Sequence, residues 1–157
     1  MCVWGDPGVV VVRWYGGSPA VHCTIAIGSV LPLLHSAAGH VFLALLPDAE
    51  TNAQQARERA ADHGVIEIDE TQIRGQIRGS MLAQWAGVGS QPLMAGMRMM
   101  AAPVFDLQGR VRLAVAALAT GAFAVEEDEA VAARLLAACA DATAAAGGIW
   151  PKPTPNG

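Results

Sequence analysis

The stretch MRMMAAPVFDLQGRVRLAV, Met97 to Val115, contains two apolar runs separated by the polar sequence Asp106–Gly109. A short polar segment with glycine between two such runs is typical of a reverse turn. The runs on either side, Arg98–Phe105 and Val111–Ala117, therefore predict the two strands of a β-hairpin. Asp106 is better suited to forming this turn than to acid catalysis.

Three methionines in the first strand of this hairpin raise the question of a ligand pocket. Because alternate residues of a strand face opposite sides of the sheet, Met97 and Met99 share one face, and Arg98 and Met100 share the other. Methionine is flexible and suits both irregular cores and permissive binding surfaces. On composition alone, a packed core and a ligand-facing wall are equally good interpretations of the Met97 and Met99 face.

A second hairpin is predicted near the start of the chain. The runs Val9–Tyr15 and Val21–Ile27 flank the turn sequence Gly16–Ser18, and two such runs around a Gly-Gly turn are typical of paired strands. Further on, Ser36 can cap a helix. The first turn of that helix, Ala37–Gly39, is small enough for the backbone to approach a neighbouring group closely.

The rest of the chain predicts three helices and one uncharged, glycine-rich loop. Pro47 ends the helix that precedes them. The pattern gives a polar helix from an Asp48 N-cap to Gly64, a helix from about Glu70, the loop 86–96, and a long helix from Glu126 to Gly147. The long helix carries an apolar stripe at Val131, Leu135, Cys139 and Ala142. Helices segregated from antiparallel strands predict an α+β fold with one sheet.

The composition fits one domain of 157 residues and excludes several classes of protein. The net charge is −4 and the ten basic residues are scattered, which argues against a nucleic-acid-binding face. The most apolar run, Val30–Leu46, is interrupted and too short for a membrane span, and the first residues do not form a secretory signal. Three widely spaced cysteines indicate reduced thiols in a cytoplasmic protein.

No catalytic motif is present in the sequence. There is no phosphate-binding loop, dinucleotide fingerprint or nucleophile elbow. Cys23, His35 and His40 could in principle form a metal site, but their spacing matches no ligand motif, so ordinary packing is the better interpretation. Packing is also the better interpretation of Cys139, in the apolar stripe, and of Cys23, the remaining thiol candidate. We therefore predict no catalytic residue, no metal and no cofactor.

Three stretches follow one another in the order VWGDPGVVVVRW, GSVLPLLHSAAGHVFLALLPD and GMRMMAAPVFDLQGRVRLAV. Together they resemble the C-terminal effector-binding domain of the IclR family of bacterial transcription regulators. The second resembles that family's Leu-Pro and Ala-Gly helix start, and the third resembles its Ala-Ala-Pro-Val-Phe-Asp strand and turn. The resemblance covers residues 1–148 as one effector-binding domain and leaves residues 149–157 as a tail that is predicted to be disordered.

This resemblance implies a GAF-like fold, in which a curved antiparallel sheet is flanked by helices. It also implies a domain that binds a small effector and controls DNA binding by a winged helix-turn-helix domain on its N-terminal side. We expect that DNA-binding domain to be absent from this chain. Family members usually form dimers or tetramers, so we expect a homo-oligomer that contacts DNA only through the missing domain and does not contact membranes.

The family's pocket positions carry over to ten residues. They are Val21, Cys23, Ala37, Ala38, Gly39, Gly89, Met97, Met99, Ala116 and Leu118. Relatives that bind carboxylates usually have an acidic residue in the loop at Gly89 or Ser90, serines at Ala116 and Leu118, and lysine at His40. Because a buried carboxylate without hydrogen-bond donors is costly, these departures predict a mostly apolar pocket for a hydrophobic or aromatic effector.

Two other functions compete with effector sensing. The first is an oligomerisation module whose pocket is vestigial, which the low charge and abundant alanine fit equally well. The second is a GAF-like enzyme that uses cysteine chemistry, which would require a clustered pair of reactive thiols. Three isolated cysteines argue against that enzyme.

Overall fold

The computed structural model describes residues 1–17, 23–61, 68–86, 97–120 and 127–152. Within these ranges it contains six strands and four helices. The strands are β1 (Cys2–Gly5), β2 (Gly8–Val11), β3 (Val30–Leu31), β4 (Ala83–Ala86), β5 (Met97–Phe105) and β6 (Val111–Thr120). The helices are α1 (Ala37–Leu45), α2 (Asp48–Ala61), α3 (Glu70–Ser80) and α4 (Asp128–Ala145). The predicted α+β fold class is confirmed.

All six strands lie in one antiparallel sheet, in the order β3-β2-β1-β6-β5-β4. Because β1 pairs with β6, the N-terminal hairpin and the β5–β6 hairpin join in the middle of the sheet. Helix α1 packs on one face against β5 and β6, and α4 packs on the other face of the same strands. Helix α3 packs against α1. The β5–β6 hairpin is therefore covered on both sides.

The β5–β6 hairpin confirms the prediction from the Met97–Val115 stretch. Its strands pair along their whole length, with Met99 opposite Leu118 and Ala101 opposite Ala116. Asp106 forms the turn, because its Oδ1 accepts the backbone N–H groups of Gln108 and Arg110 at 2.9 Å each. This arrangement is the local side-chain-to-backbone hydrogen bonding that favours aspartate in turns.

The N-terminal hairpin differs from the prediction. Its strands are β1 and β2, which meet with Gly5 opposite Gly8 around the turn Asp6–Pro7. The predicted strand Val9–Tyr15 is confirmed only over Val9–Val11, because the chain leaves the sheet at the end of β2. Its predicted partner, Val21–Ile27, was wrong over residues 23–27, which form no strand, and its first two residues lie outside the described residues. Proline and glycine provide the turn chemistry here, and Gly8 has φ +108°, a conformation that L side chains rarely adopt.

Helix α1 begins as predicted. The Oγ atom of Ser36 accepts the N–H of Gly39 at 2.9 Å and donates to the carbonyl of Pro32 at 2.6 Å. A Cβ atom at Gly39 would overlap the carbonyl oxygens of Pro32 and Leu33, so glycine allows α1 to lie directly against the preceding chain. The helix ends before the proline that the sequence indicated. Neither α1 nor any other helix of the described ranges is long and apolar enough to cross a membrane.

Helices α2 and α3 form largely where the sequence placed them. Helix α2 begins at Asp48 itself, so this residue is the first helical residue and not the predicted N-cap. Its predicted end, Gly64, lies outside the described residues. Helix α3 begins at Glu70 as predicted, and the side chain of Asp69 caps it by accepting the N–H of Gln72 at 3.0 Å.

Strand β4 was not predicted. It pairs with β5 from Ala83 opposite Ala101 to Ala86 opposite Arg98. Ala86 had been assigned to the glycine-rich loop, and the rest of that loop, residues 87–96, lies outside the described residues. A strand of four residues is too short to give a periodic signal, so its pairing with β5 decides its conformation.

Helix α4 turns to the sheet a face that overlaps the predicted stripe but is rotated slightly from it. Of the predicted stripe, Cys139 is buried and Val131 and Leu135 are half-buried, but Ala142 is exposed. The buried side chains of the helix are Ala132, Cys139 and Thr143. Thr143 fixes this face, because its Oγ1 accepts the N–H of Phe105 at 3.1 Å. Alanines occur around the whole helix, so the apolar pattern alone could not select the face.

The segment that follows α4 also contacts the domain. Trp150, in the tail that was predicted to be disordered, packs edge-on against Phe105 with ring centroids 5.9 Å apart. Residues 153–157 lie outside the described ranges. The C-terminal segment therefore contributes an aromatic side chain that packs against the cores on both faces of the sheet.

Candidate effector pocket

The faces of β5 divide by residue parity, as the sequence predicted. Met99 is buried in the core cluster that contains the α1 side chains, and the half-buried Met97 packs against the same cluster. Met100 belongs to a separate cluster with Leu82 and Ala132, on the α4 side of the sheet. We refer to the first face as the α1 side and to the second as the α4 side. The predicted pocket positions of β5 all lie on the α1 side.

Strand β6 continues the α1 side next to β5. Leu118 lies opposite Met99, and Ala116 lies opposite Ala101. Both Leu118 and Ala116 are half-buried and pack against the α1 core cluster. The four predicted strand positions of the pocket, two from each strand, therefore form one continuous apolar surface.

The start of α1 lies against this surface. Ala37, Ala38 and Gly39 are buried, and the two alanines belong to the same core cluster as Met99. Their small side chains let the first turn of α1 approach the sheet. The structure thus brings together the predicted positions of α1, β5 and β6.

The other predicted pocket residues are placed less completely. Cys23 is half-buried outside any strand, and its Sγ lies 3.8 Å from the carbonyl oxygen of Ile25. Val21 and Gly89 lie outside the described residues. The contribution of all three positions to a pocket remains a prediction.

His40, which stands where relatives often have lysine, is buried in α1. Its Nε2 atom lies 2.7 Å from the carbonyl oxygen of Leu34 and donates to it. Burial is the largest effect on this ring and lowers its pKa below the usual value; the nearby His35 lowers the pKa further, whereas the bond to Leu34 and the charge of Glu58 raise it. The net lowering keeps His40 neutral at pH 7, so it supplies no positive charge for an anionic ligand.

Glu58 of α2 holds the segment before α1 in place, a role that the sequence did not indicate. Its two carboxylate oxygens accept the backbone N–H groups of Leu33 and Leu34 at 2.7 and 2.8 Å, and one also accepts from Gln54 Nε2 at 2.9 Å. The carboxylate holds the segment just before α1 and occupies two backbone donors beside it. Because these partners lie 24 and 25 residues away in the chain, no local sequence signal could reveal the contact.

The cysteines are separate from one another, and two of them are buried. Cys2, Cys23 and Cys139 are all free. Burial raises the pKa of the Cys139 thiol to about 11 and also raises that of Cys2, which suppresses the nucleophilic thiolate. Within the described residues, no group of three or more histidine, cysteine or acidic side chains is placed to hold a metal. The packing interpretation of Cys139 is confirmed by its burial in the α4-side core.

An open antiparallel sheet with helices on both faces is the arrangement of the predicted GAF-like fold. The family model described as bacterial transcriptional regulator IclR C-terminal matches residues 3–145. The chain therefore belongs to the IclR family of bacterial transcriptional regulators and corresponds to its C-terminal, effector-binding domain. No curated protein sequence matches the chain.

Solved structures of regulators share this fold. Pseudomonas aeruginosa HmgR superimposes with a TM-score of 0.78 and 32% identity, over 94% of this chain and 58% of that one. An IclR transcriptional regulator from Silicibacter gives a TM-score of 0.75 and 21% identity, over 99% and 61% of the two chains. Thermotoga maritima IclR gives a TM-score of 0.68 and 16% identity, over 93% of this chain and 60% of that one. The chain thus spans 58–61% of the length of these regulators.

Proposed function

We propose that this domain binds a small hydrophobic or aromatic effector on the α1 side of β5 and β6. In the full regulator, the bound effector would control DNA binding by a winged helix-turn-helix domain outside this chain. The observation that supports this ligand class is the composition of the α1 side. Six strand positions on that side are apolar, namely Met97, Met99, Ala101, Ala114, Ala116 and Leu118. Thr120, opposite Met97 at the end of β6, is the one polar strand position among the described residues of this side.

The polar groups near the start of α1 are already engaged within the protein. Glu58 accepts the N–H groups of Leu33 and Leu34, and Ser36 accepts that of Gly39. His40 is neutral at pH 7 and donates to a backbone carbonyl. A carboxylate buried here would have to displace one of these bonds, which costs about 1–3 kcal/mol for each polar group left unsatisfied. The described groups therefore favour an apolar ligand over a small acid.

Calorimetric titration with two sets of compounds tests this proposal. Phenol and benzyl alcohol represent aromatic ligands, and glyoxylate and pyruvate represent small acids. We expect the aromatic compounds to give saturable heat of binding. In methionine-methyl NMR, they should also shift the Met99 methyl resonance. Met99→Ser should weaken aromatic binding about 10-fold or more, because it removes a buried apolar side chain from the site.

Met100→Ser provides the matched control, since Met100 lies on the α4 side. After circular dichroism has shown that both variants are folded, Met100→Ser should leave the aromatic-induced shift of the Met99 resonance as in the wild type. Tight binding of glyoxylate or pyruvate without any response to aromatics would contradict the apolar pocket. Equal losses in both variants would also contradict it, because the effect would then not be specific to the α1 side.

The burial of the α1 side favours a second candidate function, an oligomerisation module with a vestigial pocket. Met99 is only 3% exposed, and Ala37 and Ala38 are fully buried, so this face is closely packed. If neither compound set produces heat, and light scattering shows a stable dimer or tetramer, this second function is the better one. We propose a homodimer or homotetramer for either function, acting in the cytoplasm where reduced thiols are stable.

A further inference from the structure

A second pocket lies on the α4 side of the sheet, between the β5–β6 strands and the first turns of α4. Its volume is about 140 Å³. Met100, Ala117 and Ala119 form its strand wall, and Val131 closes it from the helix. Because Met100 and Ala117 are opposite each other in the register, the pocket is on the reverse side of the strands that carry the proposed effector site.

An ion pair with two hydrogen bonds bridges the sheet and α4 at this end of the pocket. Arg98 of β5 binds the carboxylate of Asp128 with two nitrogen atoms, at 3.0 and 3.1 Å. Further along, α4 packs directly on the sheet through Ala132 and Cys139. Between the bridge and that contact, the small side chains of Ala117 and Ala119 leave space that α4 does not fill.

The charge at the pocket rim is unbalanced. Asp128 is compensated by Arg98, whereas Glu127 forms no hydrogen bond or ion pair with the described residues. Glu127 also occupies the N-cap position of α4 without making a capping bond. Among the described rim residues, two carboxylates therefore face one arginine, and Glu127 is stabilised only by the dipole of α4.

We propose that this pocket binds a small hydrophobic amine, with its apolar body against Met100 and Val131 and its ammonium group near Glu127. The size fits, because a cavity of about 150 Å³ accepts a benzene-sized molecule. The sign of the charge also fits: an ammonium group meets the free carboxylate, whereas an anion would have to break the two-bond pair between Arg98 and Asp128. This inference does not depend on the proposed effector function.

Methionine-methyl NMR of the 157-residue chain with benzylamine tests the site. Benzyl alcohol and benzoate serve as the neutral and anionic comparison compounds. We expect benzylamine to shift the Met100 methyl resonance saturably, with little change at Met99. We expect it to bind more tightly than benzyl alcohol, with benzoate the weakest of the three.

Variants then separate the charge from the cavity. Glu127→Gln should weaken benzylamine about 2–5-fold, as expected for a solvent-exposed ion pair, and should leave benzyl alcohol unchanged. Glu129→Gln is the matched control, because Glu129 lies in the same helical turn but outside the pocket, and should have no effect. Ala117→Leu should fill the cavity and abolish the Met100 shift caused by benzylamine and by benzyl alcohol, and Val131→Phe should do the same if the first variant does not fold.

Three results would overturn the inference. One is a benzylamine shift centred on Met99, which would place the amine on the α1 side. Another is equal binding of all three compounds, which would remove the role of Glu127. The last is unchanged binding in a folded Ala117→Leu or Val131→Phe variant. Aromatic binding at the α1 side is followed at the Met99 resonance and amine binding at the Met100 resonance, so the two proposals fail separately.

Discussion

Single side chains determine the polarity of each side of the β5–β6 hairpin. The two-residue period of a strand allowed the sequence to assign Met99 and Met100 to opposite faces, and the structure confirms the division. The same reasoning could not find Glu58, because its backbone partners, Leu33 and Leu34, are distant in the chain. The alternation of a strand can be recognised from neighbouring residues. A contact between a loop and a distant helix cannot.

At the residue scale, His40 should make the domain less stable in acid. Its folded-state pKa is lowered mainly by burial, so the unfolded chain binds a proton more readily than the folded one. Stability from this group is therefore fully present above the unfolded pKa of about 6.5 and is lost as the pH falls below it. Urea unfolding at a series of pH values should show this decline.

His40→Gln should reduce the decline, because glutamine has a donor for Leu34 and does not titrate. The comparison between pH 7 and pH 8 is the internal control, since His40 is neutral there in both states. An unchanged slope between pH 7 and pH 5 in the variant would assign the acid sensitivity to another group.

At the scale of elements, the sequence predicted the strands and helices that are marked by a nearby turn or capping residue. The β5–β6 hairpin has a strong turn sequence, and α1 has Ser36 as its cap. The N-terminal hairpin was misplaced because a Gly-Gly sequence competes with the true turn at Asp6–Pro7. Strand β4 and the buried face of α4 depend on contacts with β5, which sequence periodicity does not encode.

Gly39 should tolerate no side chain. Gly39→Ala should lower the free energy of unfolding by about 1–3 kcal/mol, as overpacking does, because the new Cβ meets two carbonyl oxygens. Gly75→Ala is the matched control: Gly75 lies within α3 with open space around it, and alanine should stabilise the helix by about 0.5–1 kcal/mol. Urea unfolding of both variants measures the difference. Equal effects of the two substitutions would show that α1 can move away from the preceding chain.

Glu58 should contribute more to the free energy of unfolding than an exposed acidic residue of the same helix. Glu58→Ala leaves two backbone N–H groups without their acceptor and should cost about 1–3 kcal/mol. Glu50→Ala removes only the exposed ion pair with Arg110 and should cost less than about 1 kcal/mol. Hydrogen exchange at Leu33 and Leu34 should accelerate in the first variant alone. If exchange there is unchanged, the loop is held by other contacts.

At the scale of the whole molecule, the central hairpin lies between two cores of different character. The α1 side is the larger core and contains the proposed effector surface. The α4 side consists of two smaller clusters around Met100 and Cys139. The motifs that indicate the IclR family are spread over nearly the whole chain. The identity of the effector depends on individual pocket side chains, which no motif specifies.

Cys139 should report on the opening of the α4 side. Its pKa of about 11 lies two units above the usual value, so at neutral pH its thiolate is about 100-fold less populated than that of a free cysteine. Labelling with a thiol reagent should modify the half-buried Cys23 first and Cys139 only as the domain opens. Cys23→Ser should remove the fast phase. Fast labelling of Cys139 in folded protein would show that α4 detaches readily.

The sheet order has a consequence for assembly. The two longest strands, β5 and β6, are interior, while the outer strands β3 and β4 have only two and four residues. Long unpaired strand edges recruit other chains into extended sheets and fibrils, and short edges reduce that hazard. The described edges present few free backbone groups for such recruitment. We therefore expect copies of this domain to associate through helix and loop surfaces, and to resist forming fibrils even when crowded.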